Sequence, residues 1–432
     1  MPSSISIPFL HICNHLELPP VATYAGVCLW NFKPIFPNQP IDDLDNIFTL
    51  LTFTGSIDES WFYLVSVAIE ARGAPLLPLM LEAVQAARIG DAKFVTEALI
   101  VFAQRIDELG SLLTRMYENC DPHVFYHRIR PFLAGSKNMA EAGLPRGVIF
   151  EEDTGVESYR QYGGGSNAQS SLIQFFDLIL GVQHRPTGET QNGEGAQGGA
   201  DTTAQAPPSH NFIHEMRSYM PGPHRRFLEH VASVANIRPF VEQHRRNQAL
   251  TISYDACLAM LRALRDKHIQ LVSRYIIVKS HEQRHATQPL SPTTTNATLS
   301  KPLNLAGASS PPHSQRPDSV STPTPASPLK PAKKSLRGTG GTALIPFLKQ
   351  ARDETGEPAI DAWAKRILGH ASGEADEALT HKKKSPKKNT WEYRAAADKA
   401  ASSQAKVVPV VGLAGTWSMD DGCEGLGGLC HW

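Results

Sequence analysis

The chain has 432 residues, enough for one large domain or two ordinary ones with connecting segments. Hydrophobic residues make up 41% of it, so a sizeable core can form, and 42 Lys and Arg residues balance 42 Asp and Glu residues. Because this balance gives no overall field that would attract nucleic acid or an anionic membrane, we expect neither as a partner. The six cysteines are too sparse for a disulfide framework, and we find no signal peptide and no uninterrupted apolar run of about 18 residues. These features predict a cytoplasmic protein with a small-molecule or protein partner.

Three segments have compositions typical of disorder. Residues 184–209 are rich in Gly, Gln and Thr, residues 286–335 are rich in Pro, Ser and Thr, and residues 372–432 form a basic, Lys- and Ala-rich tail. Such compositions bury too little apolar surface to offset the entropy of ordering. The basic run HKKKSPKK in the tail is open to three interpretations: a nuclear-localisation signal, a site for an acidic partner, or a solvated segment. We therefore expect ordered structure in the three remaining ranges, 1–183, 210–285 and 336–371.

Helical patterns occupy much of the rest. Residues 57–72 and 170–182 are apolar nearly all round and predict buried helices, while 91–119 and 250–278 place apolar residues at spacings of three and four. Asp91 is a candidate N-cap residue for the helix predicted over 91–119. Because strand-like alternation is scarce, we predict an all-α fold.

The segment FYHRIRPFLAGSK (125–137) contains two arginines among aromatic residues. A buried arginine needs an acidic partner or a ligand carboxylate, since an unpaired buried charge is costly. The alternative is that Arg128 and Arg130 lie at the surface with only their apolar stems covered.

Two glycine-rich segments could approach a ligand. YGGGSNAQSS (162–171) precedes an apolar helix, and Ser170 or Ser171 could cap that helix. The pattern is equally compatible with an ordinary flexible loop, and it lacks the spacing of a phosphate-binding loop. The second segment, GTGGT (338–342), follows the Pro/Ser/Thr tract and precedes a short helical pattern, which predicts a flap that could close over a site.

His268 projects from the apolar face of its predicted helix, four residues after Leu264 and three before Leu271. From the pattern alone it could be a satisfied core histidine. It could also be an axial ligand to haem iron, with Arg265, one turn earlier, pairing with a haem propionate.

Together these segments resemble the indoleamine 2,3-dioxygenase family, its fungal members in particular. The resemblance is carried, in the family's order, by LELPPVATYAGVCLWNF (16–32), WFYLVS (61–66), FYHRIRPFL (125–133), GGSNAQSSLIQFFDLILG (164–181), MRSYMPGPHRRFL (216–228), YDACLAMLRALRDKHIQLVSRYI (254–276) and GTGGT (338–342). The resemblance implies a helical haem-dioxygenase domain that uses haem b and O2. It further implies cleavage of the indole C2–C3 bond of L-tryptophan to N-formylkynurenine, the first step of the kynurenine pathway. We expect a monomer, although the sequence leaves the oligomeric state open.

The resemblance also implies roles for individual residues. His268 matches the iron ligand, with Asp177, Arg265 and Ser166 around the haem. Arg130 is expected to bind the substrate carboxylate, and with Ser66 and Ser166 it forms the expected catalytic set. The other expected substrate contacts are Tyr24, Phe62, Phe125, Tyr126, Asn167 and Thr339.

The sequence departs from the family pattern at three places. Asn167 stands where an alanine is usual, and Tyr126 replaces a phenylalanine, so either could change the tolerance for substituted tryptophans. We also expect the chain to lack the small N-terminal helical domain that family members carry. That expectation leaves a second interpretation open, a haem-binding sensor or scaffold without turnover, and a third, an inert fragment that binds no haem.

Overall fold

A computed structural model of the chain describes residues 1–137, 139–152, 158–189, 211–286 and 337–370. These residues all fall within one compact unit, Met1–Glu374. Most of the three segments for which disorder is predicted lies outside the described residues. Only the first residues of the Gly-rich segment, 184–189, and the single residue 286 of the second are described.

The described residues are mainly helical, which confirms the predicted all-α fold. The helices are α1 Ser3–His15, α2 Ile57–Gly73, α3 Leu76–Ile89, α4 Ala92–Thr114, α5 Met116–Asn119, α6 Pro122–Val124, α7 Ser171–Leu180, α8 Phe212–Arg217, α9 Gly222–Val234, α10 Ile237–Gln243, α11 Gln248–Val272, α12 Lys279–Ala286, α13 Leu344–Gly356 and α14 Ala362–His370. The described residues also form two short antiparallel strand pairs, namely β1 Phe32–Pro34 with β2 Ile47–Thr49, and β3 Val148–Ile149 with β4 Tyr159–Arg160.

The predicted N-cap residues Asp91 and Ser170 both form capping hydrogen bonds. Asp91 Oδ1 accepts the backbone N–H of Phe94 at 3.0 Å, at the start of α4. Ser170 Oγ accepts the N–H of Ile173 at 3.2 Å and so caps α7. Each bond satisfies one of the donors that the first turn of a helix leaves free.

The core is built around α4 and α11, which pack along each other. Helices α2 and α3 cover another side of α4, and α7 joins the core through Phe176, whose ring meets that of Phe102 edge-on at 5.0 Å. The Tyr254 hydroxyl of α11 donates to the carbonyl of Leu180 at 2.5 Å. Burial of these apolar faces is the main source of stability, and it fixes the direction of α11, which carries His268.

Helices α2 and α3 lie in one apolar stretch, Ile57–Ile89. By length and composition this stretch could cross a membrane, with a mean hydropathy of 1.5 in its most apolar window, but core helices of folded domains meet the same criteria. In the fold, 44% of that window is buried, largely against α4.

Three π-helical turns interrupt or extend the α-helical pattern. They span Ala25–Leu29, Phe125–Ile129 and Ser273–Val278. The last continues α11, so the single helix predicted over 250–278 is in fact an α-helix with a π turn at its end. Such turns are frequent at functional sites because they displace side chains from the regular helical register.

Candidate functional site

Two adjoining cavities meet at His268, and both are lined mainly by apolar side chains. The first is lined by residues that include Tyr24, Phe62, Phe125, Arg130, Ser166, Asn167, His268 and Thr339. The second is lined by residues that include Tyr24, Ser66, Asn167, Asp177, Arg265 and His268. Each of the three π turns, or a residue next to it, contributes to the lining of the first cavity. The structure therefore brings all the predicted site residues to the cavity walls except Tyr126.

The imidazole of His268 projects into both cavities. It forms no hydrogen bond within the part of the chain that the structure describes, and Leu264, Leu271 and Val272 of α11 supply apolar lining beside it. Burial, together with the Arg265 guanidinium one turn away, lowers the pKa of His268 to about 4. A histidine with this pKa is neutral at pH 7 and keeps a nitrogen lone pair free to bind a metal ion.

An aromatic wall stands beside His268. The rings of Phe62 and Phe125 are 4.8 Å apart, and Phe125 meets Tyr275 edge-on at 5.7 Å. Phe125 and Tyr275 belong to two different π turns, which place both rings on the same cavity. Offset and edge-on ring contacts of this kind define a rigid surface that suits a planar apolar ligand.

Arg130 lines the same cavity as these aromatic rings. Its residue surface is only 6% exposed, and it forms no ion pair with an acidic group among the described residues. Its Nη2 donates to the carbonyl of Arg337 at 2.7 Å, and burial lowers its pKa below the ordinary arginine value. A buried guanidinium without a counter-charge favours a ligand carboxylate. The alternative of a surface arginine is wrong for Arg130, whereas Arg128 is exposed.

The two glycine-rich segments dock on each other at the cavity edge. Gly164 N–H donates to the carbonyl of Thr339 at 3.0 Å, and the Thr339 hydroxyl donates to the carbonyl of Gly165 at 2.6 Å. A Cβ atom on Gly164 would lie 2.0 Å from the carbonyl oxygen of Leu133. The close approach of the two backbones therefore requires glycine at this position. The predicted flap lies against the glycine loop, and its residue Thr339 lines the cavity.

Tyr126 is the predicted substrate contact that the structure places elsewhere. Its ring is 4% exposed and lines neither cavity. The ring lies 5.6 Å from the guanidinium carbon of Arg130, a cation–π contact. Tyr126 therefore packs behind Arg130, outside the cavity lining.

A half-buried acidic residue, Glu70, lies next to the wall of the cavities. Its Oε1 accepts hydrogen bonds from the Tyr24 hydroxyl at 3.0 Å and the Ser170 hydroxyl at 2.5 Å. Burial raises the pKa of Glu70, and the two hydrogen bonds offset only part of that rise. The Tyr24 N–H donates to Gln169 Oε1 at 2.9 Å, so the cluster ties the first π turn to the loop that contains Ser166 and Asn167.

A second buried cluster joins α7, α11 and α13. Arg265 donates from Nη2 to both carboxylate oxygens of Asp177, at 2.7 and 2.8 Å, and it also contacts the Thr355 hydroxyl. His184 lies between two carboxylates, with Nε2 at 3.1 Å from Asp177 Oδ2 and Nδ1 at 2.7 Å from Glu354 Oε2. Among the described residues no hydrogen bond joins His268 to Asp177 or Arg265, so this cluster acts on His268 only through the charge of Arg265.

The pKa values in this cluster follow from its charges. Burial on its own would raise the pKa of Asp177, but attraction to Arg265 and His184 lowers it below the ordinary value. Burial on its own would lower the pKa of His184, but Asp177 and Glu354 raise it overall. The cluster therefore favours two ionised carboxylates and two cations, so that its charges cancel.

Comparison with known proteins agrees with this geometry. The family model described as indoleamine 2,3-dioxygenase matches residues 1–358. The chain belongs to the indoleamine 2,3-dioxygenase family. It is 42% identical to an indoleamine 2,3-dioxygenase of Saccharomyces cerevisiae over 365 residues, covering 82% of this chain and 72% of the relative. A 6-hydroxytryptophan 2,3-dioxygenase of Fusarium equiseti is 35% identical (82% and 74% covered), and indoleamine 2,3-dioxygenase 1 of Rattus norvegicus is 29% identical (84% and 74%).

Membership in the indoleamine 2,3-dioxygenase family makes this chain an enzyme of the dioxygenase type. Sequence reasoning missed Glu70, His184 and Glu354 as parts of the site. Glu70 had a visible signal, since it is an acid on the apolar helix 57–72, four residues after Ser66. His184 had none, because it begins a segment whose composition predicts disorder.

Proposed function

We propose that this member of the indoleamine 2,3-dioxygenase family is a haem-dependent enzyme that opens the indole ring of L-tryptophan. The reaction cleaves the C2–C3 bond with O2 and gives N-formylkynurenine, the first step of the kynurenine pathway. The proposal depends on one cavity that is lined by the neutral imidazole of His268 and the buried guanidinium of Arg130. Among the described residues the imidazole has no hydrogen-bond partner and the guanidinium has no acidic partner.

The donor set of the cavities fits haem b. His268 offers a neutral nitrogen to iron, and side chains such as Leu264, Leu271 and Val272 supply apolar surface for a porphyrin. Arg265, held by Asp177, would face the haem from one turn before the ligand, and Ser166 would lie at its edge. Haem, when bound, would supply the activation of O2.

The other residues would bind and orient the substrate. Arg130 would hold the carboxylate of tryptophan, while the Phe62 and Phe125 rings would pack against the indole. Thr339 and the flap would cover the amino-acid portion and exclude water. Fixing a substrate in this way removes much of the entropic part of the barrier, typically several kcal/mol, and no general base is needed for the proposed role of the protein.

The names of the relatives support an indole amino acid as substrate, since they include indoleamine and 6-hydroxytryptophan dioxygenases. Asn167 brings an amide into a mostly apolar lining, so ring-substituted tryptophans are natural alternatives to test. We further propose that the enzyme acts as a cytoplasmic monomer.

The decisive experiment is an absorption spectrum of the purified full chain, before and after reduction, with and without L-tryptophan, together with a product assay under O2. We expect a Soret band that shifts on addition of tryptophan and one N-formylkynurenine formed for each O2 consumed. A Soret band without tryptophan consumption would instead support a haem-binding sensor or scaffold. A chain that takes up no haem would overturn the proposal.

A further inference from the structure

Residues 184–188, which follow α7, hold helix α13 through two ionic contacts that we call the α13 clasp. In the first, His184 Nδ1 lies 2.7 Å from Glu354 Oε2. In the second, Arg185 Nη1 donates to Glu357 Oε2 at 2.9 Å. The clasp thus combines a histidine, which can lose its proton near neutral pH, with an arginine, which stays charged.

The clasp acts on the helix that lines the cavities. Phe347, Ala351 and Glu354 follow one another at spacings of four and three residues, so they share one face of α13. Phe347 lines both cavities and Ala351 lines the second. The flap residue Thr339 lies just before this helix and lines the first cavity. A loss of the contact at Glu354 would therefore free the same face of α13 that lines the cavities.

His184 needs two protons to hold both of its partners. Its Nε2 lies 3.1 Å from Asp177 Oδ2, and the side chains of His184, Asp177 and Glu354 are only 3–6% exposed. A carboxylate only accepts, and a neutral imidazole has a single N–H to donate. The imidazolium donates to both carboxylates, whereas the neutral ring turns a lone pair towards one of them.

Charged and titratable groups from four helices face His184. Burial and Arg265 of α11 would lower the pKa of His184, but Asp177 of α7 and Glu354 of α13 raise it overall. His214 of α8 is another histidine nearby, and burial together with neighbouring positive charges lowers its pKa. Above pH 6.5 His214 is therefore already neutral, and His184 is the group of this set that loses a proton as the pH rises further.

We propose that His184 is a positioning residue for the substrate, because its imidazolium holds α13 and the flap on the cavity and tryptophan binds more weakly once the ring is neutral. The inference rests on the proposed function, since it takes tryptophan as the ligand. A ligand that needs the clasped form binds with an apparent dissociation constant that increases as the clasped fraction falls. That fraction is highest below the ordinary histidine pKa of about 6.5 and falls as the pH rises through the raised pKa of His184.

The first test measures kcat and the half-saturating tryptophan concentration of the haem-loaded full chain from pH 6 to 9. Near pH 6 we expect His184→Gln to need about tenfold more tryptophan than the wild-type protein, the effect of one charged hydrogen bond. This ratio should approach one as the pH rises, with equal kcat in both proteins. The ammonium group of tryptophan titrates in both experiments alike, so the ratio reports on the clasp.

Two further variants separate the proton on His184 from other causes. Arg185→Gln removes the arginine contact of the same clasp. Because arginine keeps its charge throughout this pH range, the variant should weaken tryptophan binding by a similar factor at every pH. His214→Ala removes the neighbouring histidine and should keep the wild-type pH profile.

The second test needs no turnover. Hydrogen exchange of the backbone amides of residues 344–356 is measured without tryptophan in the full-length wild-type and His184→Gln chains, compared at the same pH. We expect these amides to exchange about tenfold more slowly in the wild-type protein near pH 6, and at nearly equal rates near pH 9.

The outcomes separate the clasp from the reaction. Convergence of wild-type protein and His184→Gln with rising pH in both measurements supports the inference. A ratio that does not depend on pH, or a lower kcat with an unchanged half-saturating concentration, overturns it and leaves His184 a structural residue. A wild-type chain that shows the pH-dependent exchange but does not bind tryptophan overturns the proposed function and the link from the clasp to the substrate.

Discussion

His184 Nδ1 lies 2.7 Å from Glu354 Oε2, which joins the chain just after α7 to α13 across 170 positions of sequence. Both side chains are at least nine-tenths buried, at 6% and 3% side-chain exposure. Helix α13 carries Phe347 and Leu348 of the cavity lining and directly follows the flap. This ion pair thus holds the flap-bearing helix against the body of the domain.

His184→Gln should make the protein less stable and change how stability depends on pH. The pKa of His184 is raised in the folded protein, so its contribution is fully present below the unfolded pKa of about 6.5 and is lost as pH rises through the higher folded value. Asp177 and Glu354 attract the proton, while Arg265 opposes it.

We expect the free energy of unfolding to fall by about 3 kcal/mol in this variant near pH 6, with a smaller difference at alkaline pH. Urea unfolding of wild-type and variant chains between pH 6 and 9 measures it. The exposed His230 gives a control in His230→Ala, which should show no such effect. A difference independent of pH would mean that folding does not raise the pKa of His184.

His268→Ala should abolish haem retention, because the variant loses the one histidine among the described residues that line the two cavities. The Soret band of the purified variant measures this directly. His268→Gly leaves space for free imidazole, which should restore the band when added. Full haem occupancy in His268→Ala would remove this residue from the proposed role.

Arg130→Ala should raise the tryptophan concentration needed for half-maximal rate by roughly tenfold to hundredfold, the effect of losing a charged hydrogen bond to the carboxylate. The haem spectrum should stay nearly intact, since Arg130 lies on the substrate wall. Arg128→Ala is the matched control, because Arg128 is exposed two residues earlier on the same turn. An unchanged tryptophan response in Arg130→Ala would exclude it from the site.

The sequence predicted four helices of the core well because their apolar patterns are local. Apolar spacing predicted α4 and most of α11, a nearly all-round apolar composition predicted α2 and α7, and Asp91 and Ser170 were recognisable caps. The roles of the cavity residues came from the family resemblance rather than from periodicity, since the pattern by itself left His268 open between a core histidine and a haem ligand.

What the sequence did not reveal depends on contacts between distant parts of the chain. Composition is averaged over a stretch of neighbouring residues, so it placed His184 in a segment predicted to be disordered. In the fold, two carboxylates that are far apart in the sequence, Asp177 and Glu354, bind its two ring nitrogens. The π turns depend on where a helix meets its neighbours, and they moved Phe125 and Arg130 to the cavity while Tyr126, between them, packs outside it.

Gly164→Ala should loosen the flap. A Cβ atom at this position would lie 2.0 Å from the carbonyl of Leu133 and 2.5 Å from the N atom of Gly135. Both obstacles are backbone atoms that cannot rotate away, so the loop must move from the flap residue Thr339, to which Gly164 donates at 3.0 Å. We expect a loss of about 2 kcal/mol in the free energy of unfolding, together with a weaker apparent affinity for tryptophan.

Urea unfolding and tryptophan titration of the same variant measure the two effects. Gly26→Ala is the control, because a Cβ there meets nothing closer than 3.7 Å and Gly26 is exposed on the first π turn. If Gly164→Ala were as stable as Gly26→Ala but bound tryptophan weakly, the loop would be adaptable and the defect would lie in the flap contact alone. If both properties were unchanged, the close packing of the two glycine segments would not be needed for either, since the loop could absorb a methyl group without moving Thr339.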